Sequence, residues 1–111
     1  MLKIAFHENY IYPLEENHRF PMIKYELIPE QLLRENTCSD RNFFKPNLID
    51  ENIVLQTHQV EYFNRFKNLD LSKKEIREIG FPLSKKLVNR ELQIAEGTIK
   101  GVIYSIENGI S

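Results

Sequence analysis

Arg19 is the residue whose type and setting most favour a functional role. It lies in the segment His18-Arg19-Phe20-Pro21-Met22, near the predicted start of a helix. One interpretation is a surface arginine at a helix end. In the other, Phe20 and Pro21 turn the guanidinium group inward. Because a buried arginine is costly unless it is paired, it would then line a polar channel or bind a carboxylate.

The remaining residues that could do chemistry are scattered. The spacing of the histidines (His7, His18 and His58) matches no compact metal-binding motif. Cys38 lies in a polar turn with no histidine nearby to act as a base or to lower its pKa. The sequence contains no glycine-rich phosphate loop and no nucleophile elbow. We therefore predict no catalytic residue and no metal ligand in this chain.

Composition narrows the class of protein. The 111 residues are 41% hydrophobic and 28% charged, which is typical of a single globular domain. The formal net charge of −1 gives no basic surface for nucleic acid. No run approaches the roughly 18 apolar residues needed to cross a membrane. One cysteine cannot form an internal disulfide, which favours a cytoplasmic location.

The first 44 residues predict a strand, a helix and a second strand. The strands are Leu2–Phe6, where apolar residues alternate, and Asn42–Phe44. The helix is His18–Leu33, with Asn17 as its N-cap and with Pro29 expected to kink or split it. A long crossover of this kind makes the two strands parallel.

The sequence after residue 44 predicts helices. They are Glu51–Gln56 capped by Asp50, a segment around Val60–Phe66, Lys73–Ile79 capped by Ser72, and a long last helix from Ser84 to Gly109. One stripe of the last helix is apolar: Val88, Leu92, Ala95, Ile99, Val102, Ile103 and Ile106. Gly97 and Gly101 indicate that another backbone packs closely against it. A chain of this size has too few layers to bury the end of that helix.

Six segments in order resemble the histone deacetylase superfamily, especially bacterial members of the acetoin-utilisation type. They are the strand with its Tyr-Pro-Leu loop and His18-Arg19-Phe20-Pro21-Met22, then Phe43-Phe44-Lys45-Pro46, His58-x-x-Glu61-Tyr62, and finally Ile79-Gly80-Phe81-Pro82-Leu83 with Ala95-Glu96-Gly97-Thr98-Ile99. The resemblance covers the whole chain.

The resemblance implies an α/β fold, the N-terminal portion of an arginase/deacetylase-type parallel sheet with flanking helices, here mostly helical with about two short parallel strands. It also implies a zinc-dependent amidohydrolase that removes acetyl or longer acyl groups from lysine side chains or small amines. Zinc would be held by two Asp and one His, with a tandem His pair beside it. Neither feature occurs in this chain, so we expect zinc in the full-length family and none bound here.

Three residues carry over from the family pattern. Arg19 matches an arginine near the internal channel below the active site. Phe81 and Pro82 match one rim of the substrate entrance, where many members also have an Asp that holds the substrate backbone. Only Phe81 stands between Gly80 and Pro82, so that contact is absent here.

The sequence therefore predicts that residues 1–111 are the N-terminal fragment of a single deacetylase domain that lacks its catalytic half and is inactive alone. The substrate of the full-length enzyme would be an acetylated lysine or an acylated small amine. The alternative is a small helical interaction module without catalysis, which binds a partner through the Ile99–Ile106 face.

Overall fold

The computed structural model describes all 111 residues, and helices dominate it. Helices make up 54% of the chain and strands 4%. The strands are β1, Ile4–Ala5, and β2, Phe43–Phe44. The α-helices are α1, Lys24–Arg34; α2, Glu51–Val54; α3, Val60–Lys67; α4, Lys73–Ile79; and α5, Lys85–Asn108. Single 3₁₀ turns lie at Glu8–Tyr10 and Asp40–Asn42.

The predicted arginase/deacetylase α/β fold is wrong for this chain. The sheet consists of β1 and β2 alone, paired in parallel with Ile4 opposite Phe43 and Ala5 opposite Phe44. A parallel α/β sheet is built from several strands covered by helices on both faces. Here only two residues of each strand pair, and nearly all the other apolar patterns have the helical period. The parallel direction of the two strands was predicted correctly.

The start of the first helix was also predicted wrongly. Helix α1 begins at Lys24 rather than at His18, and Ile23 stands at the N-cap without a side-chain hydrogen bond. Phe20 precedes Pro21, and a residue before proline is driven out of the helical region by the proline ring. The segment from His18 to Ile23 therefore forms turns. Pro29 lies inside α1 and does not split it.

Local capping signals account for the later helices. The side chains of Asp50, Ser72 and Ser84 each accept a backbone hydrogen bond at the start of α2, α4 and α5 respectively, as predicted. Gly80 and Gly109 end α4 and α5 with φ of 86° and 84°, the left-handed conformation that glycine adopts without strain. These signals act within a few residues, so the sequence alone sufficed to place these caps, although α2 ends at Val54 and not at the predicted Gln56.

Helix α5 is the central element of the core. Leu87 and Val88 are its most deeply buried residues, at 0% and 1% exposure. Leu87 packs with Tyr12 and Met22 of the amino-terminal loops. On another face, Val88 and Leu92 pack with Ile49 and Phe63, next to α2 and α3. The first half of α5 is therefore covered on two sides.

The second half of α5 is not covered in the same way. Val102, Ile103 and Ile106 are 57%, 44% and 80% exposed, as the shortage of layers predicted. The molecule is thin, with extents of 45 × 35 × 17 Å. Its radius of gyration of 15.7 Å exceeds the value of about 13 Å expected for a compact domain of this length. No helix is long and apolar enough to span a bilayer.

Candidate functional site

Two loops that are far apart in the sequence meet beside the start of α5. The imidazole of His18 lies 2.8 Å, through Nε2, from the carbonyl oxygen of Gly80, and its Nδ1 accepts a hydrogen bond from the amide of Phe20 at 3.1 Å. Because Nδ1 accepts, the ring proton belongs on Nε2, which then donates to Gly80. One histidine thus shapes its own turn and fastens that turn to the loop after α4.

Aromatic rings fill the space between the two loops. Phe81 contacts Phe20 edge-to-face with ring centroids 5.2 Å apart, and its ring centroid is 5.6 Å from that of His18. Phe20 also stacks on Tyr25 at 6.1 Å. The Nζ atom of Lys24 lies 4.7 Å from the centroid of Phe20, within cation–π range. Such pairs hold the loops together without a backbone ladder.

Tyr12 links the same loop to the beginning of α5. Its hydroxyl, on a residue only 4% exposed, donates to the carbonyl of Pro82 at 2.6 Å. The hydroxyl of Ser84 lies 2.5 Å from it, and Ser84 accepts from the amide of Leu87. The chain of hydrogen bonds therefore runs from the helix start through Ser84 and Tyr12 to Pro82, and it fixes the position of the Phe81–Pro82 loop.

A buried arginine, Arg90, lies at the centre of this arrangement and is 2% exposed. Its Nε donates to the carbonyl of Tyr10 at 2.8 Å, and Nη1 donates to Oε1 of Glu91 at 2.6 Å. Nη2 lies 3.8 Å from the sulfur of Met22. We call Arg90 and its contacts the Arg90 cluster; besides the residues already named, it includes the rings of Tyr25 and Phe81, 5.3 and 5.6 Å from the guanidinium carbon.

Arg19 is not the buried, paired arginine that one interpretation of the sequence suggested. Arg19 is exposed and takes part in no side-chain hydrogen bond or ion pair of the structure, so its proposed channel role stays a prediction. Phe81 is half-buried and Pro82 is exposed, next to the Arg90 cluster. The guanidinium group that is buried and paired belongs to Arg90, which sequence reasoning missed. The available signal was its place on α5, three residues after the fully buried Leu87.

Tyr10 closes the cluster on the side facing β1. Burial, assisted by the nearby carboxylate of Glu96, raises the pKa of Tyr10 to about 12, although Arg90 acts in the opposite direction. Its hydroxyl donates to the carbonyl of Gln93 at 3.5 Å. The neutral phenol is therefore the form that the folded chain prefers.

This preference predicts a loss of stability in alkali. In the unfolded chain Tyr10 ionises near its ordinary pKa of 10, whereas in the folded chain it stays neutral up to about 12. Its contribution is complete below pH 10 and is lost as the pH rises from 10 to about 12. Urea unfolding at a series of pH values measures this loss. The Tyr10→Phe variant is the control, and a loss of equal size in that variant would contradict the assignment.

The structure contains no group of three His, Cys, Asp or Glu side chains that could hold a metal ion. His7 accepts the amide hydrogen bond of Asn9 at 3.0 Å, and His58 stacks near Tyr62 with centroids 6.4 Å apart. Neither histidine contacts His18. Cys38 is a half-buried free thiol. The residues described here therefore do not fit a zinc site.

Comparison with known proteins shows a similarity to part of a longer protein. No protein-family model matches the chain. The chain is 31% identical over 108 residues to an uncharacterized protein of Picosynechococcus sp. (strain ATCC 27264 / PCC 7002 / PR-6). The aligned part is 97% of this chain and 36% of that protein, so the chain spans little more than a third of the relative's length.

Proposed function

We propose that this chain is the amino-terminal segment of a zinc-dependent amidohydrolase related to the histone deacetylases, which removes acetyl or acyl groups from lysine side chains or small amines. The support in the sequence is the order of the six family-like segments. The Picosynechococcus relative adds that a similar stretch occurs within a protein nearly three times as long.

The contact between two of those segments carries the proposal. The segment matched to the internal channel, around Arg19, and the segment matched to the substrate rim, Phe81 with Pro82, are some 60 positions apart in the sequence. They nevertheless touch, through His18 with Gly80 at 2.8 Å and through Phe20 with Phe81 at 5.2 Å. Two segments of one active-site region should be neighbours, and these are.

In the proposed enzyme this chain shapes access to the site and does not perform the zinc chemistry. Its own residues do not fit the metal, so the ligands would come from a further part of the protein. Phe81 and Pro82 would form one wall of the substrate entrance. Arg19, exposed and unpaired here, would offer five N–H donors to a leaving carboxylate such as acetate.

The longer protein encoded around these 111 codons is the material for the test. We expect a Gly-Gly-x-His-His coding stretch downstream of codon 111, and hydrolysis of an acetyl-lysine peptide or an acetylated polyamine that a zinc chelator abolishes. Arg19→Ala should lower turnover by at least tenfold, because a leaving carboxylate would lose its cation, with fold stability unchanged. Arg41→Ala, another exposed arginine, is the matched control.

Two outcomes would contradict the proposal. One is a downstream sequence without that stretch in any reading frame. The other is acyl-lysine hydrolysis by the purified 111-residue chain alone, since that would place the catalytic groups within it.

A second candidate function is supported by a different observation. The end of α5 exposes Val102, Ile103 and Ile106 side by side, and a cluster of exposed apolar residues is typical of a protein-interaction surface. In this alternative the chain is a small helical module that binds a partner through the Ile99–Ile106 face. The two candidates differ in whether acyl-amide hydrolysis is ever found.

A further inference from the structure

The exposed apolar residues at the end of α5 continue a face that is covered earlier in the same helix. Val88 and Leu92 on this face pack against Ile49 and Phe63, and Ile99 packs at the edge of that cluster. Beyond Ile99 neither α2 nor α3 reaches, and the face continues as Ile103 and Ile106. We call Ile99, Ile103 and Ile106, together with Val102 at their edge, the α5 stripe.

Two opposite charges flank the α5 stripe. Lys100 and Glu107 are the only charged side chains between Thr98 and Ser111, and both are exposed. They lie two helical turns apart and so project along one side of the stripe. Neither takes part in an ion pair within the chain; the six ion pairs of the structure all lie before residue 92.

We propose that the α5 stripe binds a second copy of this chain, with the two α5 helices antiparallel across a two-fold axis. In the register that sets Ile103 opposite Ile106 of the partner subunit, Lys100 lies opposite Glu107 of the partner subunit. The symmetry produces this pair twice. A parallel arrangement would leave the two charges two turns apart, so the charge pattern selects the antiparallel one.

The contact is small, and we expect a dissociation constant on the order of micromolar, as for interfaces at the low end of the size range. This inference names the partner for the second candidate function and rests on that candidate. It does not depend on the deacetylase proposal, which is tested by hydrolysis of acyl amides in the longer protein. The two proposals can therefore fail separately.

Analytical ultracentrifugation of the 111-residue chain, from low to high micromolar concentration, is the test. Wild type should pass from monomer to dimer. Ile106→Glu should weaken the dimer by at least tenfold, because a carboxylate would be buried opposite Ile103. Ile106 is 80% exposed, so the fold should tolerate the change. Val60→Glu, at a residue of α3 that is 56% exposed, is the matched control and should leave the dimer unchanged.

Charge reversal tests the register itself. Lys100→Glu and Glu107→Lys should each weaken the dimer about fivefold, since each puts like charges face to face twice. The double variant carrying both changes should regain the wild-type constant. A wild-type chain that stays monomeric at every concentration would overturn the proposal. A double variant as weak as the single variants would overturn it as well.

Discussion

Replacing Arg90 by alanine should lower the free energy of unfolding by about 3 kcal/mol, because it removes a buried, hydrogen-bonded cation and leaves a cavity. The carbonyl of Tyr10 would lose the donor 2.8 Å away, and the rings of Tyr25 and Phe81 would lose the group they enclose. Chemical denaturation followed by circular dichroism measures the change.

The control for Arg90 is a set of two substitutions. Arg77→Ala, on the exposed side of α4, should change stability by less than about 0.5 kcal/mol. The stability of Arg90→Lys should fall between those of Arg77→Ala and Arg90→Ala. An ammonium group keeps the charge but cannot reproduce the planar fork that donates to both Tyr10 and Glu91. An Arg90→Ala variant as stable as Arg77→Ala would show that the Arg90 cluster does not hold the loops together.

Replacing Gly97 by alanine should lower the free energy of unfolding by about 2 kcal/mol, although alanine is the better helix former. A Cβ atom at Gly97 would lie 2.5 Å from the hydroxyl oxygen of Tyr10 and 3.1 Å from Cβ of Ala5 in β1. Both neighbours are held in place, Tyr10 by the packing of its buried ring and Ala5 by the strand pairing, so neither can move away easily.

Gly101 provides a matched control on the same helix. A Cβ atom there would meet only the hydroxyl of Ser111, at an ordinary 3.7 Å. Gly101→Ala should therefore raise stability by about 0.5 to 1 kcal/mol through helix propensity. In a Tyr10→Phe background the cost of Gly97→Ala should shrink, because the closest atom is gone. If both glycine variants were equally stabilising, β1 would not pack on α5 as described.

The parts of the fold that were predictable are those decided by neighbours in the sequence. Ser84 caps α5 and Gly80 ends α4 through contacts within three or four residues, so reading the sequence was enough. The close approach predicted from Gly97 and Gly101 is found only at Gly97, where the side chains of Tyr10 and Ala5 pack against the helix; Gly101 meets only the hydroxyl of Ser111. The start of α1 was predicted wrongly because Pro21 keeps Phe20 out of the helical conformation, so the helix begins only at Lys24.

The Arg90 cluster could not be predicted, because its contacts come from distant parts of the chain. Tyr10, Met22 and Phe81 reach Arg90 only after the loops fold onto α5, and no local pattern indicates such a meeting. Arg19 and Phe81 were predicted as site residues, but from the family resemblance and, for Arg19, its setting in the sequence, and not from any contact with Arg90. The fold class was predicted wrongly for a related reason. Two parallel strands suggested a larger sheet, but the number of strands in a sheet is decided by pairing between distant segments, which the sequence does not show.

Nuclear magnetic resonance of the chain tests most directly whether the two loops meet around Arg90. We expect the Nε proton of Arg90 to exchange slowly with solvent and to show nuclear Overhauser effects to ring protons of Tyr25 and Phe81. We also expect such effects between the rings of Phe20 and Phe81. A rapidly exchanging Arg90 Nε proton, with no contact between Phe20 and Phe81, would contradict the meeting of the two loops.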